Sequence, residues 1–130
     1  MISDPGKSCS LEEMFRLRVE FMETLKERVP DVYPEWPIDP TLKKNQAHVR
    51  DIALRGVEEM FEALQHLKNS KPHRQTHLPD FDKAAFLEET VDAFNYFFSV
   101  LVLLGVSPEE LLDAYRSKHN TIKRRLEEGY

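Results

Sequence analysis

At 130 residues with a net charge of −5, the chain is sized for one hydrophobic core and lacks the basic surface that a duplex nucleic-acid binder needs. Its single cysteine, Cys9, excludes an intramolecular disulfide and suits a reducing compartment, so a cytoplasmic protein is expected, and the opening MISDPGKSCS lacks the apolar core of a signal peptide. The longest apolar run, 96–106, is about half the ~20 residues that cross a bilayer, so no membrane partner is expected.

One domain over 1–130 is expected, with 1–9 as a flexible lead. Ser10-Leu-Glu-Glu13 has the form of a capping box opening a first helix, in which Met14, Leu17, Phe21 and Leu25 share a face and which stops before Pro30. Four prolines between 30 and 40 exclude helix there. A second helix is expected over about 42–68, with Val49, Ala53, Val57, Met60, Leu64 and Leu67 as its apolar face. The breaker-rich loop NSKPHRQTHLPD follows, in which His73, Arg74, Gln75 and His77 are either a phosphate-contacting segment or a plain polar connection. Asp80 or Asp82 can cap a third helix that ends at Gly105. Ser107-Pro-Glu-Glu110 is a second capping box with proline at the first helical position, starting a fourth helix that runs to the C-terminus. The fold class expected is all-α, a bundle of about four helices.

The third helix bears on assembly. From 94 to 104 it reads FNYFFSVLVLL, apolar nearly all round, and such a helix must be covered on every side. Three other helices in a small monomer can hardly do that. A homodimer, or a dimer of dimers, is the expectation.

Two acidic clusters carry the chemistry. Glu58-Glu59-x-x-Glu62 lies in the second helix and Glu88-Glu89-x-x-Asp92 near the polar start of the third. Residues three apart share a helical face, so packing the two helices together makes a patch of carboxylates. Such a patch repels itself unless a hard cation occupies it, and all-oxygen donors favour magnesium, with manganese able to substitute. The plainer alternative is a solvated acidic face, which is strained where Phe86, Leu87, Val91, Ala93 and Phe94 crowd the second cluster. A ferritin-like di-iron site would need Glu-x-x-His pairs, and neither cluster has His at that step.

Glu59-x-x-Glu62, 26 intervening residues, then Glu89-x-x-Asp92 resembles the ExxE…ExxD signature of the all-α nucleoside triphosphate pyrophosphohydrolases, the superfamily of MazG and the dimeric dUTPases. The ending Tyr115-x-x-Lys118…Arg125…Gly129-Tyr130 is similar to the tail of the dimeric dUTPase branch, including its phage dCTP/dUTP hydrolases. The resemblance covers most of 11–130. It implies a magnesium-dependent helical enzyme, usually dimeric, that cuts a nucleoside triphosphate to the monophosphate and pyrophosphate. It also implies Glu59, Glu62, Glu89 and Asp92 as metal ligands, with Glu58 beside them to orient or deprotonate water, and Tyr115, Lys118 and Arg125 on the phosphates. The plainer reading of the Lys-Arg cluster is that it complements the fourth helix's dipole.

Base recognition departs from the branch. Arg18 and Met22 stand where dimeric dUTPases place a Gln and an Asn that read uracil, Asn95 stands in place of a His, and Ile122 replaces a tail Asn. Asn95, Arg18 and Trp36 are the candidates for base or sugar contact, Trp36 being equally suited to pinning its loop. The base is left open between a pyrimidine (dUTP or dCTP) and a purine such as dGTP. The competing function class is a non-enzymatic dimeric helical adaptor with a vestigial metal site.

Overall fold

Four α-helices in chain order make up the computed structural model, which describes residues 10–67, 71–75, 77 and 80–129: α1 (Leu11–Arg28), α2 (Lys43–Leu64), α3 (Lys83–Leu103) and α4 (Pro108–Glu127). Among the described residues there is no strand, and the all-α expectation holds. Cys9, Lys68 and Tyr130, together with the lead 1–9 and loop positions 69, 70, 76, 78 and 79, lie outside the described residues. No single helix is long and apolar enough to cross a membrane.

Local chemistry sets the helix ends. The Ser10 hydroxyl accepts the Glu13 N–H at 3.0 Å, while the Glu13 carboxylate faces Arg16 at 3.8 Å. Ser107 and Glu110 complete the reciprocal box at the start of α4, with Pro108 where its missing N–H costs nothing. Asp82 caps α3 by accepting the Ala85 N–H at 3.0 Å. α3 closes on a Schellman pair, Val106 N–H to Leu101 O at 2.9 Å and Gly105 N–H to Val102 O at 3.0 Å, with Gly105 at φ 75°. A Cβ at Gly105 would lie 3.0 Å from Pro37 Cβ, so both the left-handed backbone and the space favour glycine. α2 ends earlier than its apolar pattern predicts, at Leu64, and tightens into a 3₁₀ turn, Gln65–Leu67.

The chain divides into two compact units, Met1–Pro37 with Leu101–Tyr130, and Ile38–Val100. The first unit contains α1 and α4, and buries Phe15, Met22, Val102 and Leu103. Its loop is clamped to α1. Lys26 Nζ sits 2.6 Å from a Glu35 oxygen and 5.1 Å from the Trp36 ring centre, and Tyr33 meets Trp36 edge-on at 6.2 Å. The second unit is the α2–α3 hairpin, which buries Ile38, Ile52, Ala63, Ala93 and Ser99.

Two expected apolar faces are corrected. On α1 the buried positions are Phe15 and Met22, whereas Met14, Leu17 and Phe21 are about half exposed. Seven apolar residues between 14 and 25 make a stripe too wide for one neighbour to cover, and packing selects one edge of it. On α2 the inward positions are Ile52, Gly56 and Ala63, while Val57, Leu64 and Leu67 face outward. The absence of a side chain at Gly56 admits an aromatic ring from α3: the Phe97 ring lies over Gly56, where a Cβ would meet Phe97 Cε1 at 2.6 Å.

That contact predicts a sign opposite to helix propensity. Gly to Ala in a helix interior gains about 1 kcal/mol, but displacing a packed ring costs roughly 1–3 kcal/mol. Gly56→Ala is therefore expected to lower the melting temperature, and Phe97→Leu in the same chain to restore part of the loss. A Gly56→Ala variant that melts higher than wild type would show that the ring moves aside freely.

Candidate metal centre

The α2–α3 hairpin brings the two acidic motifs together at its loop end. Glu59 and Glu62 occupy the last turns of α2, Glu89 and Asp92 the second and third turns of α3, and the connection between the helices fixes which ends adjoin. One carboxylate oxygen each from Glu59, Glu89 and Asp92 lies within 4.8 Å of the others. Glu62 joins them through side-chain hydrogen bonds to both Glu59 and Glu89.

The electrostatics follow from that crowding. The Glu59 carboxyl is held above the ordinary range, first by its partial withdrawal from water, then by the hydrogen bond and charge of Glu62 and the charges of Asp92 and Glu89. Glu89 is raised too, again first by partial withdrawal from water, then by Glu62 and Asp92, and His66 partly offsets the rise. His66 is the basic side chain that bears on Glu89, from the 3₁₀ turn that follows α2. Its position, four residues after Glu62 on the same face, is a sequence signal for it.

The remaining candidates fall in different places. Glu58 is exposed and outside the carboxylate group, pointing about 100° around α2 from Glu59. Asn95 is half-buried on α3, one turn beyond Asp92. Arg18, Trp36, Tyr115, Lys118 and Arg125 belong to the other unit. There, Arg18 lays its guanidinium over the Phe21 ring at 4.8 Å, and Trp36 is the loop clamp described above. Tyr115 is 72% exposed. Met22, in the position of a uracil-reading residue, is 0% exposed: it is core and presents nothing to a base.

The donor set fits a hard divalent cation. Three carboxylates converge, a fourth backs them, all donors are oxygen, and acids whose protons are held tightly by mutual repulsion gain most when a cation replaces those protons. No protein-family model matches the chain, and no characterised protein or solved structure matches it either.

The raised carboxyls set a pH dependence. Glu59 and Glu89 bind protons more tightly folded than unfolded, so their ionisation opposes folding and their protonation favours it. Without metal, the melting temperature is expected to rise as pH falls from neutrality toward the ordinary carboxylate range. Excess magnesium should stabilise the protein at the upper end of that range and flatten the slope, because the cation and the protons compete for the same oxygens. Melting curves at several pH values, with magnesium and with chelator, measure both effects; a metal-free melting temperature that falls steadily over the same interval would contradict the crowding.

Proposed function

We propose that the protein is a magnesium-dependent nucleoside triphosphate pyrophosphohydrolase that works as a homodimer. The observation that carries this reading is the convergence of Glu59, Glu62, Glu89 and Asp92 from two helices, an arrangement that costs folding free energy unless a cation resides there. The resemblance of these same residues to the ExxE…ExxD signature supplies the reaction. A substrate deoxynucleoside triphosphate with an open choice of base fits it.

Bound magnesium would supply neutralisation of phosphate charge and activation of water. In this reading Glu59, Glu62, Glu89 and Asp92 hold it, and Glu58 or an unliganded oxygen of the cluster takes the proton from the attacking water. Water adds to the α-phosphorus, the bond from that phosphorus to the α,β-bridging oxygen breaks, and pyrophosphate departs with the bond's electron pair. Tyr115, Lys118 and Arg125 offer donors for the phosphate tail, Arg by a planar fork that matches phosphate oxygens. Asn95, one turn from Asp92, offers both a donor and an acceptor to sugar or base. Arg18 and Trp36 are the other candidates for nucleoside contact.

The apolar surface supports the dimer. In the hairpin unit, Leu54, Val57, Phe61 and Leu64 form one exposed row on α2, and Leu87, Val91 and Phe94 form another on α3, with Phe61 at 61% and Val91 at 52% exposure. A helix pair has a single mutual interface, so its outer rows are covered only by further elements. A second copy offers the same rows in return.

Incubation with magnesium and each common nucleoside triphosphate should yield monophosphate and pyrophosphate, with no orthophosphate released before pyrophosphatase is added. Glu62→Gln should lower turnover by more than about a hundredfold, over ~2.7 kcal/mol of transition-state stabilisation, while raising metal-free stability by removing one of the repelling charges. Activity retained within about tenfold would remove Glu62 from the ligand set. Metal-dependent stabilisation with inert nucleotide would favour a non-enzymatic adaptor.

Assembly has its own test. Val100→Asp places a charge in the apolar stretch of α3 at a cost on the order of several kcal/mol if that stretch is a dimer core. Aggregated or unfolded protein is expected by light scattering; a stable, active monomer would remove the dimer.

A further inference from the structure

The carboxylate cluster cannot hold a triphosphate by itself, because its own charge repels phosphate. The α4 residues offered above for the phosphate tail are one source of positive charge, and the hairpin unit carries a second. Within the hairpin unit, cations for a polyphosphate tail must come from somewhere near the loop end, where the acids sit. The connection from α2 to α3 carries them.

Residues 71–74 form a β-turn closed by the Arg74 N–H donating to the Lys71 carbonyl at 3.2 Å, with Pro72 at the second position, where its fixed φ suits the turn. The first and fourth residues of such a turn have Cα atoms less than about 7 Å apart, so the backbones of Lys71 and Arg74 are brought close together, and both residues are exposed. Neither has an ion-pair partner among the described residues, and neither is among the charges that bear on Glu89, where His66 is the basic side chain. Of the acids that follow in the loop, Asp82 is committed to capping α3. Lys71 comes four residues after Leu67, which tethers its Cα within roughly 14 Å of the end of the turn that carries His66.

We infer that the Lys71–Arg74 turn is a two-cation clamp for the β- and γ-phosphates of the substrate, supplied by the same unit that holds the acids. The inference rests on the triphosphate reading above. Two positive charges carried close together in sequence on a proline turn, with no ion-pair partner among the described residues and in the same unit as the acidic centre, match a polyanion whose other end the centre engages. The clamp reads phosphate number and is indifferent to the base. It therefore separates triphosphate from monophosphate, which favours product release after pyrophosphate leaves.

Inorganic tripolyphosphate with magnesium is the base-independent probe. Calorimetry on the wild type and on Lys71→Ala/Arg74→Ala should show affinity falling roughly tenfold to a hundredfold in the variant, as expected for lost charged hydrogen bonds. The same variant should show KM for a nucleoside triphosphate raised by a similar factor, kcat within about twofold, and inhibition by nucleoside monophosphate unchanged. Pro72→Gly, which loosens the turn and keeps both charges, should give an intermediate loss. Lys44→Ala, at the opposite end of α2, should bind tripolyphosphate as wild type does. Equal losses in Lys44→Ala and the double variant would reduce the effect to net charge and overturn the clamp, as would a double variant that binds within about twofold of wild type. If the wild type hydrolyses triphosphates and the double variant is unchanged, the clamp alone fails; if the wild type neither binds tripolyphosphate nor consumes any nucleotide, the triphosphate reading fails with it.

Discussion

Holding four carboxylates against one another is the constraint around which this protein is arranged. Glu59, Glu62, Glu89 and Asp92 would separate in solution; what keeps them together is the packing of α2 on α3, at close range over Gly56 and with Ala63 and Ala93 fully buried. The favourable term is apolar burial and the unfavourable term is charge crowding. A site built this way is preorganised for a cation and resists collapse, since the helices cannot move apart without uncovering the contact between Phe97 and Gly56.

The same hairpin leaves much of its apolar surface in water. A two-helix unit has one inner face, which here holds Ile52, Gly56, Ala63, Ala93 and Ser99 with the Phe97 ring over Gly56, while Phe61, Leu64, Val91 and Phe94 are turned outward. The inner face places the acids, and the outer rows are the surface that the proposed dimer would cover.

Charge is distributed along the chain with a similar division. Glu58, Glu59, Glu62, Glu88, Glu89 and Asp92 lie in the late α2 and early α3 turns, and Arg116, Lys118, Lys123, Arg124 and Arg125 follow one another along α4. A polyanionic substrate carrying divalent metal needs both signs, negative where the metal sits and positive along the phosphate tail. Of the residues considered for nucleoside contact, Met22 is withdrawn into the core and Trp36 is engaged by Lys26 and Tyr33.

Much of this was legible in the residues alone. Ser10, Asp82, Gly105 and the Ser107-Pro108-Glu109-Glu110 box mark helix ends because capping is chemistry within a few residues of chain. Four helices and the shared faces of Glu59 with Glu62 and of Glu89 with Asp92 follow from the 3.6-residue period. Which side of each helix is covered did not follow: α1 carries apolar residues around a wide arc and α2 has two overlapping rows, so Phe15 rather than Met14, and Gly56 rather than Val57, became interior only when a neighbour was in place. The convergence of three carboxylates to within 4.8 Å, the backing hydrogen bonds of Glu62 and the influence of His66 on Glu89 were likewise decided by the tertiary structure. Periodicity places residues on a face, but the distance between two faces is set by the side chains that pack between them.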